Sequence, residues 1–501
     1  MKKLKCLLIL SAVIFIVSCG GLNSYFYKLE ESIIKNDYNK TKELIMESKD
    51  SYGGKNEFLY YLDLGFTEHL AGDYEQSNKS FEEAKKIYDK NYTKSISAGA
   101  FSLFANDNVI PYYGHPYEIS YVNVICALNY ILQGQNNEAV VEARQADNLF
   151  KKINADSNGK AFYNDDPFIK YFMGLVYENA GYYNDALISY KSALKNYDTS
   201  IYTPEQQDYS FYSQKKKDNV NIGYSLSAPK DLLYSLFDMY DYLGFDSEAY
   251  ELKYKYSSVF DGRVKPARNC GELIIINYNG LSPKKVDSVI ELAFSKAWVY
   301  FNAESVNSKE QDDVNKVRSA VAAGLSGDYI KVAFPKYERY GNQISNFALE
   351  EIDESTKTAF GNNYYGFAAA DMGTLMISAL QRENLAIYSK TIARAVGRYV
   401  IAKVVADQVR QNESKDTYGL LGALTQATLN VANSMLEKAD KRSWRTLPEK
   451  INMARIYLPE GQHAFNVKYI NSFKDVIYTN KITAEIKKGK KTFVITKSYR
   501  N

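Results

Sequence analysis

The sequence predicts an α-helical repeat solenoid followed by an α+β domain with short antiparallel strands and a long helical insertion. Turn residues recur through the first 260 residues, and each is followed five positions later by a small residue. The helical pattern stops near Pro266, and a continuous apolar run typical of a buried strand comes next. Alternating apolar residues return near the C-terminus. With 501 residues, the chain is long enough for two or more domains.

The N-terminal segment has the layout of a secretory signal. Three lysines precede an apolar run that ends at Val17 and is shorter than the roughly 20 residues that span a bilayer. Ser18 and Cys19 close this run with a small residue before cysteine, which resembles a bacterial lipobox. The resemblance implies that residues 1–18 are a signal peptide and that Cys19 is acylated. Membrane lipid would then be the first partner of the chain, through Cys19.

Lipidation predicts a protein of the cell membrane or outer membrane, with the bulk of the chain exported from the cytoplasm. Gly20 stands where an aspartate signals inner-membrane retention in some bacteria, so the outer membrane is favoured where two membranes exist. Removal of residues 1–18 leaves as many basic as acidic residues. This balance argues against a nucleic-acid partner, which needs a basic surplus. Cys126 and Cys270 are predicted to be free thiols.

The repeats occupy residues 19–262. Their turn residues are Asn36, Gly72, Gly134, Gly181 and Gly244, and the small residues five positions later are Thr41, Ser77, Ala139, Ala186 and Ala249. This spacing resembles tetratricopeptide repeats, in which two helices pack antiparallel and small residues allow a close approach. Asp166 and Pro167 predict the cap and first turn of one helix. An ordinary amphipathic bundle is the alternative.

Several short blocks resemble a poorly characterised family of bacterial lipoproteins with tetratricopeptide repeats and a C-terminal α+β domain. The blocks are Asn106-Asp107, Tyr117-Glu118, Ala127-Leu128-Asn129-Tyr130, Val141-Glu142-Ala143-Arg144 and the segment from Ala439 to Pro448. The chain departs from the family pattern at Gln145, where relatives tend to carry a second arginine.

The α+β domain is predicted over residues 267–501. Its strands are predicted near 272–278, 328–334, 452–470 and 480–497, and its helices near 372–441. Asn279-Gly280 is a turn signal after the first strand, and Pro335 is expected to end the second. The strands on either side of the Pro459–Gln462 turn are interpreted as one small antiparallel unit.

Candidate residues for partner binding or for a structural lock are Asn129, Glu142, Arg144, Asp440, Arg442, Trp444 and Arg455. Glu142 and Arg144 are two positions apart on one helix and therefore lie on different faces, where they either pair with neighbouring repeats or line the concave surface. Asp440 is predicted to orient the guanidinium of Arg442 or Arg455. Trp444 is predicted to stack on an arginine or to fill the joint between helix and sheet.

The sequence predicts no cofactor and no metal site. His69, His115 and His463 lack partners at metal-ligand spacing. The acidic run from Glu350 to Glu354 is interpreted as a solvated surface turn.

The predicted function is a membrane-anchored scaffold, without enzymatic activity, that binds an envelope protein. An extended peptide or a helix is expected to bind in the concave surface of the repeats. The alternatives are an envelope enzyme or accessory factor acting on cell wall or glycan, and a surface adhesin.

Overall fold

The computed structural model describes residues 20–97, 110–156, 166–199, 227–293, 329–353, 359–381, 387–388, 390–392, 394 and 439–499. The helices of the first half are α1 (Gly20–Ile34), α2 (Tyr38–Glu47), α3 (Lys49–Tyr52), α4 (Glu57–Ala71), α5 (Tyr74–Ser97), α6 (Pro116–Leu132), α7 (Asn136–Asp156), α8 (Pro167–Asn179), α9 (Tyr183–Thr199), α10 (Lys230–Leu243), α11 (Asp246–Lys255) and α12 (Ser257–Phe260). The predicted signal peptide and Cys19 lie outside the described residues.

The helices form consecutive pairs, each joined by a tight turn, as the repeat spacing predicts. The five aligned turn residues have φ between 58° and 86°, the left-handed region that glycine and asparagine tolerate best. The five small residues are all buried. Asp166 caps α8, because its carboxylate accepts hydrogen bonds from the main-chain N–H groups of Phe168 and Ile169. The helical half is therefore a tetratricopeptide-like array.

Glycine allows the two helices of a repeat to touch. A Cβ atom on Gly174 of α8 would lie 2.4 Å from the ring of Tyr190 on α9, and one on Gly65 of α4 would lie 2.9 Å from the ring of Phe81 on α5. The aromatic ring of each second helix thus occupies the space that a side chain on the first helix would need.

The first helices of the three central repeats are buried almost all round. In α6, every residue from Tyr117 to Asn129 is buried, and α4 and α8 are similar. The second helices α5, α7 and α9 keep an exposed face. A helix that is apolar on all sides needs cover on all sides. The second helices cover one side of α4, α6 and α8, and the C-terminal half of the chain covers the other.

The C-terminal half contains two four-stranded sheets and a two-stranded ribbon. The strands are β1 (Cys270–Leu281), β2 (Lys284–Ala293), β3 (Tyr329–Glu338), β4 (Asn346–Ile352), β5 (Ala359–Tyr365), β6 (Phe367–Asp371), β7 (Pro448–Pro459), β8 (Gly461–Ile470), β9 (Val476–Ile486) and β10 (Lys491–Ser498). Sheet 1 has the order β10-β1-β7-β6, sheet 2 has the order β5-β4-β8-β9, and β2 pairs with β3. Residues 372–381 form helix α13, whereas residues 395–438 of the predicted helical insertion lie outside the described part.

Strand β1 lies between the helices and sheet 2, as its continuous apolar run predicts. Ile274, Ile276 and Tyr278 belong to the apolar cluster that contains the helical repeats. Leu273 and Ile275, on the opposite face, pack with the apolar residues of sheet 2. The fold therefore has three layers, with the helical array on one side of sheet 1 and sheet 2 on the other.

Two predicted strand ends are wrong. Asn279-Gly280 is not a turn, because β1 continues to Leu281. Gly280 adopts a φ of 67° within the strand, and the side chain of Asn342 occupies the space beside it. Strand β3 likewise continues through Pro335 to Glu338. Proline is tolerated there because, among the described strands, β3 pairs with β2 alone.

Two further predictions fail because they depend on long-range pairing. The strands before and after the turn at Glu460 do not form one unit, since β7 belongs to sheet 1 and β8 to sheet 2. Glu350 and Glu351 do not lie in a surface turn but in β4. Each is paired with a residue of β8, Glu350 with Lys468 at 2.6 Å and Glu351 with His463 at 2.7 Å.

The contact between Gly174 and Tyr190 gives a test of the repeat packing. We expect Gly174→Ala to lower the free energy of unfolding by about 1 to 3 kcal/mol, because the added methyl group overlaps the ring. Gly54→Ala is the matched control, since Gly54 has open space around it and should change stability by less than about 0.5 kcal/mol. Urea denaturation followed by circular dichroism measures both. Equal losses in the two variants would contradict the packing described here.

Candidate functional site

Most of the candidate residues lie where the first helices of the repeats meet sheet 1 and residues 440–448, which we call the junction. The two halves share one apolar cluster there, which includes Phe66 and Leu128 of the helices, Ile276 of β1 and Leu447. A small apolar cavity lies in the same region, lined in part by Phe66, Tyr121 and Ile276. The face of the repeats that was expected to bind a peptide is therefore filled by the chain's own C-terminal half.

Trp444 lies at the centre of the junction. Its side chain is fully buried and meets the rings of Phe66 and Phe81 edge-on, at centroid distances of 6.0 Å and 5.9 Å. The indole Nε1–H donates to Oγ1 of Thr446 at 2.8 Å, and the main-chain N–H donates to Oε1 of Glu118 at 2.9 Å. Trp444 thus fills the joint between repeats and sheet, and no arginine of the described ranges lies over its ring.

Glu118 links the start of α6 to the segment that carries Trp444. Its buried carboxylate accepts two hydrogen bonds at Oε2, one from the Tyr112 hydroxyl and one from the main-chain N–H of His115. Both distances are 2.8 Å. The second of these bonds is part of a capping box at the helix N-terminus. Because Oε1 also accepts from Trp444, one carboxylate caps a repeat helix and holds the C-terminal half.

Asp440 and Arg442 form a second link. Arg442 donates from Nε and Nη2 to the two carboxylate oxygens of Asp440, at 2.8 Å and 2.7 Å. Its Nη1 donates to the main-chain oxygen of Ile110 at 2.9 Å, and the guanidinium lies 5.2 Å from the centre of the Tyr112 ring. Burial opposes ionisation of Asp440, but the bonds from Arg442 outweigh it and hold its pKa below the usual value.

Arg455 pairs with Glu272 of β1 and not with Asp440. The Nε–Oε1 distance is 2.5 Å, and both side chains are almost completely buried. Lys491 of β10 contacts the same carboxylate and reaches Glu178 of helix α8 at 2.8 Å. Burial would raise the pKa of Glu272, but Arg455 and Lys491 outweigh it and hold the pKa below its usual value. This charged group ties sheet 1 to the helices.

Asn129 joins two repeats to strand β1. Its Nδ2 donates to Oγ of Ser77 at 2.9 Å and to Oδ1 of Asn78 at 2.8 Å. Its Oδ1 lies 2.5 Å from Nδ1 of His69, whose Nε2 lies 2.9 Å from the hydroxyl of Tyr278. Burial lowers the pKa of His69 to about 4, so the ring is neutral at neutral pH.

Glu142 and Arg144 lie on α7, outside the junction, and the structure does not bring them to the inner face. Glu142 is buried and pairs with Lys85 of the preceding repeat at 2.7 Å. Arg144 is half-exposed, lies 4.0 Å from Asp185 of the following repeat and stacks over the ring of Tyr182. Both therefore connect neighbouring repeats. Glu142 does so inside the array and Arg144 on its outer surface.

Sequence reasoning missed Asp63 of α4. Its carboxylate accepts from the Tyr52 hydroxyl at 2.8 Å and from Oγ1 of Thr446 at 3.0 Å, so it connects the repeats to the Trp444 segment. Burial raises the pKa of Asp63 to about 6, against the bonds that lower it. An aspartate inside the apolar run of α4 was the available signal, because a buried carboxylate needs partners.

The arrangement is suited to holding the two halves of the chain together. Among the described residues, no group of three or more histidine, cysteine, aspartate or glutamate side chains could hold a metal ion. Within the same ranges, no helix is both long and apolar enough to cross a bilayer. Cys126 and Cys270 are free thiols, as predicted.

Comparison with known proteins gives similarities at the level of helical repeats only. BtubC (BKLC) from P. vanneervenii shares 13% identity over 52% of this chain and 88% of its own, with a TM-score of 0.31. A Podosopora anserina kinesin light chain with nearly identical TPR-like repeats shares 13% identity over 48% of this chain and 97% of its own, with a TM-score of 0.29. The apo form of RapI shares 10% identity over 82% of this chain and 74% of its own, with a TM-score of 0.30. Scores this low carry no argument about function.

No protein-family model and no curated protein sequence matches the chain. Membership of the lipoprotein family therefore stays a prediction from its sequence blocks.

The raised pKa of Asp63 predicts a measurable pH dependence of stability. The protonated form is favoured in the fold, so this contribution is complete below pH 3.8 and is lost as the pH rises through about 6. Lowering the pH from 7.5 to 5 should therefore stabilise the wild type, relative to Asp63→Asn, by about 1 kcal/mol. Other buried groups titrate in both proteins and cancel in this difference.

Urea denaturation at the two pH values measures the effect. Asp50→Asn, at an exposed position of the same half of the chain, is the control for the replacement of aspartate by asparagine. If the difference in stability between the wild type and Asp63→Asn is the same at both pH values, Asp63 is not buried at the junction.

Proposed function

We propose that the chain is a lipid-anchored protein of the bacterial cell envelope that binds a protein partner through the outer side of its helical repeats. The lipobox-like sequence that ends at Cys19 supports the anchor and the export. The tetratricopeptide-like array supports a role in binding, because such arrays present extended surfaces built from repeated helices.

The observation that carries the proposal is the filled inner face. Trp444, Leu447 and strand β1 occupy the side of α4, α6 and α8 on which a peptide would otherwise bind. A partner therefore meets the second helices, which keep one exposed face.

An outer patch on two neighbouring second helices has the composition of a binding surface. Val141 of α7 and Ile188 of α9 stand seven positions after their turn glycines and are 50% and 66% exposed. On the same two helices and the turn before α9, Arg144 lies 4.0 Å from Asp185 and over the ring of Tyr182. Single exposed apolar residues are common on protein surfaces. Arginine and tyrosine, however, are enriched at protein interfaces relative to the rest of the surface.

The anchor can be tested by fractionation of cells that express the full chain. We expect the wild type in the membrane fraction and Cys19→Ser outside it, because the acyl chains supply the attachment. Cys6→Ser is the control, since Cys6 lies within the predicted signal peptide and should leave the protein in the membrane. Mass spectrometry of the N-terminal peptide should show acylation at Cys19. An unmodified Cys19 in the membrane fraction would reject the lipid anchor.

The outer patch can be tested with a photo-reactive amino acid at Ile188. Illumination of cells should give a cross-linked product of discrete mass, and Arg144→Glu should reduce its yield because the partner meets the same patch. Lys79 is the matched control position, because it is exposed and also stands seven residues after its turn glycine, in a repeat without the apolar patch. The same product from Lys79, or none from Ile188, would contradict partner binding at the patch.

A further inference from the structure

The last repeat of the array leaves its stacking surface uncovered. The position six residues after the turn glycine is buried in the three preceding repeats, as Asn78, Val140 and Leu187. Asn78 accepts a hydrogen bond from Asn129 of the following repeat, so this position faces the next helix pair. In the last repeat the same position is Tyr250, which is 71% exposed.

A second tyrosine extends this surface along α11. Tyr254 is one helical turn further on and is 77% exposed, with its ring stacked beside that of Tyr250 at a centroid distance of 6.5 Å. Helix α12 covers part of α10, because Phe260 packs on Tyr234 and Phe237. It leaves the two tyrosines of α11 in the open. Terminal repeats normally present a polar outer face, so a pair of exposed aromatic rings indicates an interface.

We propose that this surface binds a second copy of the chain, with the two α11 helices antiparallel about a two-fold axis near Tyr250. A two-fold interface must be complementary to itself. Asp246 and Lys253 meet this requirement, because both are exposed and they lie seven residues, or two turns, apart on the flank of α11 beside Tyr250. Antiparallel pairing brings Asp246 of each copy to Lys253 of the other.

The interface then has an aromatic centre and a charged rim. The two tyrosines of each copy continue the repeat-to-repeat packing of the array across the axis, and the two equivalent ion pairs set the antiparallel direction. Rim charges of this kind contribute to orientation more than to affinity, whereas the buried aromatic rings supply most of the affinity.

A charge exchange in the full-length protein tests the proposal. The purified chain in detergent should show a concentration-dependent dimer by sedimentation. Asp246→Lys and Lys253→Asp should each weaken dimerisation by about tenfold or more, because like charges then face each other in both pairs. The double variant should return to within about threefold of the wild type.

Helix stability does not account for such a rescue. Each substitution places a charge unfavourably at an end of α11, and the double variant carries both. A structural effect alone would therefore make the double variant the weakest of the three.

A disulfide trap gives an independent measurement. Tyr250→Cys should form a disulfide-linked dimer on mild oxidation, since a residue near the axis meets its own copy. Ile188→Cys is the control, equally exposed but on the outer patch, and should not. A monomeric protein at all concentrations, or a double variant no better than the single variants, would overturn the proposal. Either result leaves partner binding at the outer patch untouched.

Discussion

The structure depends on the need to cover α4, α6 and α8 from two sides. These helices carry apolar residues around most of their circumference, and their partners within the repeats cover only part of that surface. Burial of apolar surface contributes roughly 25 cal/mol per Å², so leaving the other side in water would be costly. Sheet 1 and the segment with Trp444 provide the missing cover. The helical array and the C-terminal half are therefore parts of one core, which includes residues as distant in sequence as Phe66 and Leu447.

Polar groups determine how the two halves fit together. Apolar contact is not directional, so it would tolerate a range of relative positions. Buried carboxylates are more demanding, since each needs donors at defined places. Glu118 and Asp63 of the helices accept hydrogen bonds from Trp444 and Thr446. Glu272 of β1 binds Lys491, which also reaches Glu178 of α8. Buried ion pairs often add little net stability, and we interpret these as determinants of register between helices and sheet.

The proposed binding surfaces therefore lie on the outside of the array. In an open helical solenoid, the inner face is the natural site for a peptide, but here the chain's own residues occupy it. Among the described residues of the helical half, exposed surface is found on the second helices, around Arg144, and at the end that carries Tyr250 and Tyr254.

The sequence by itself determined the helical repeats. The turn residues, the small residues five positions later and the cap at Asp166 all act within one helix pair, and the structure has each of them as predicted. The buried strand β1 was also predictable, because its apolar run is continuous. Asp440 and Arg442 are two residues apart, so their pairing was within reach of sequence reasoning as well.

Only the tertiary structure decided the rest. The separation of β7 and β8 into different sheets, the pairing of Arg455 with Glu272 and the closing of the inner face all join residues far apart in sequence. Local patterns show that a strand or a charge is present, but they carry no information about the distant segment that it meets. That partner is selected by the packing of the whole core.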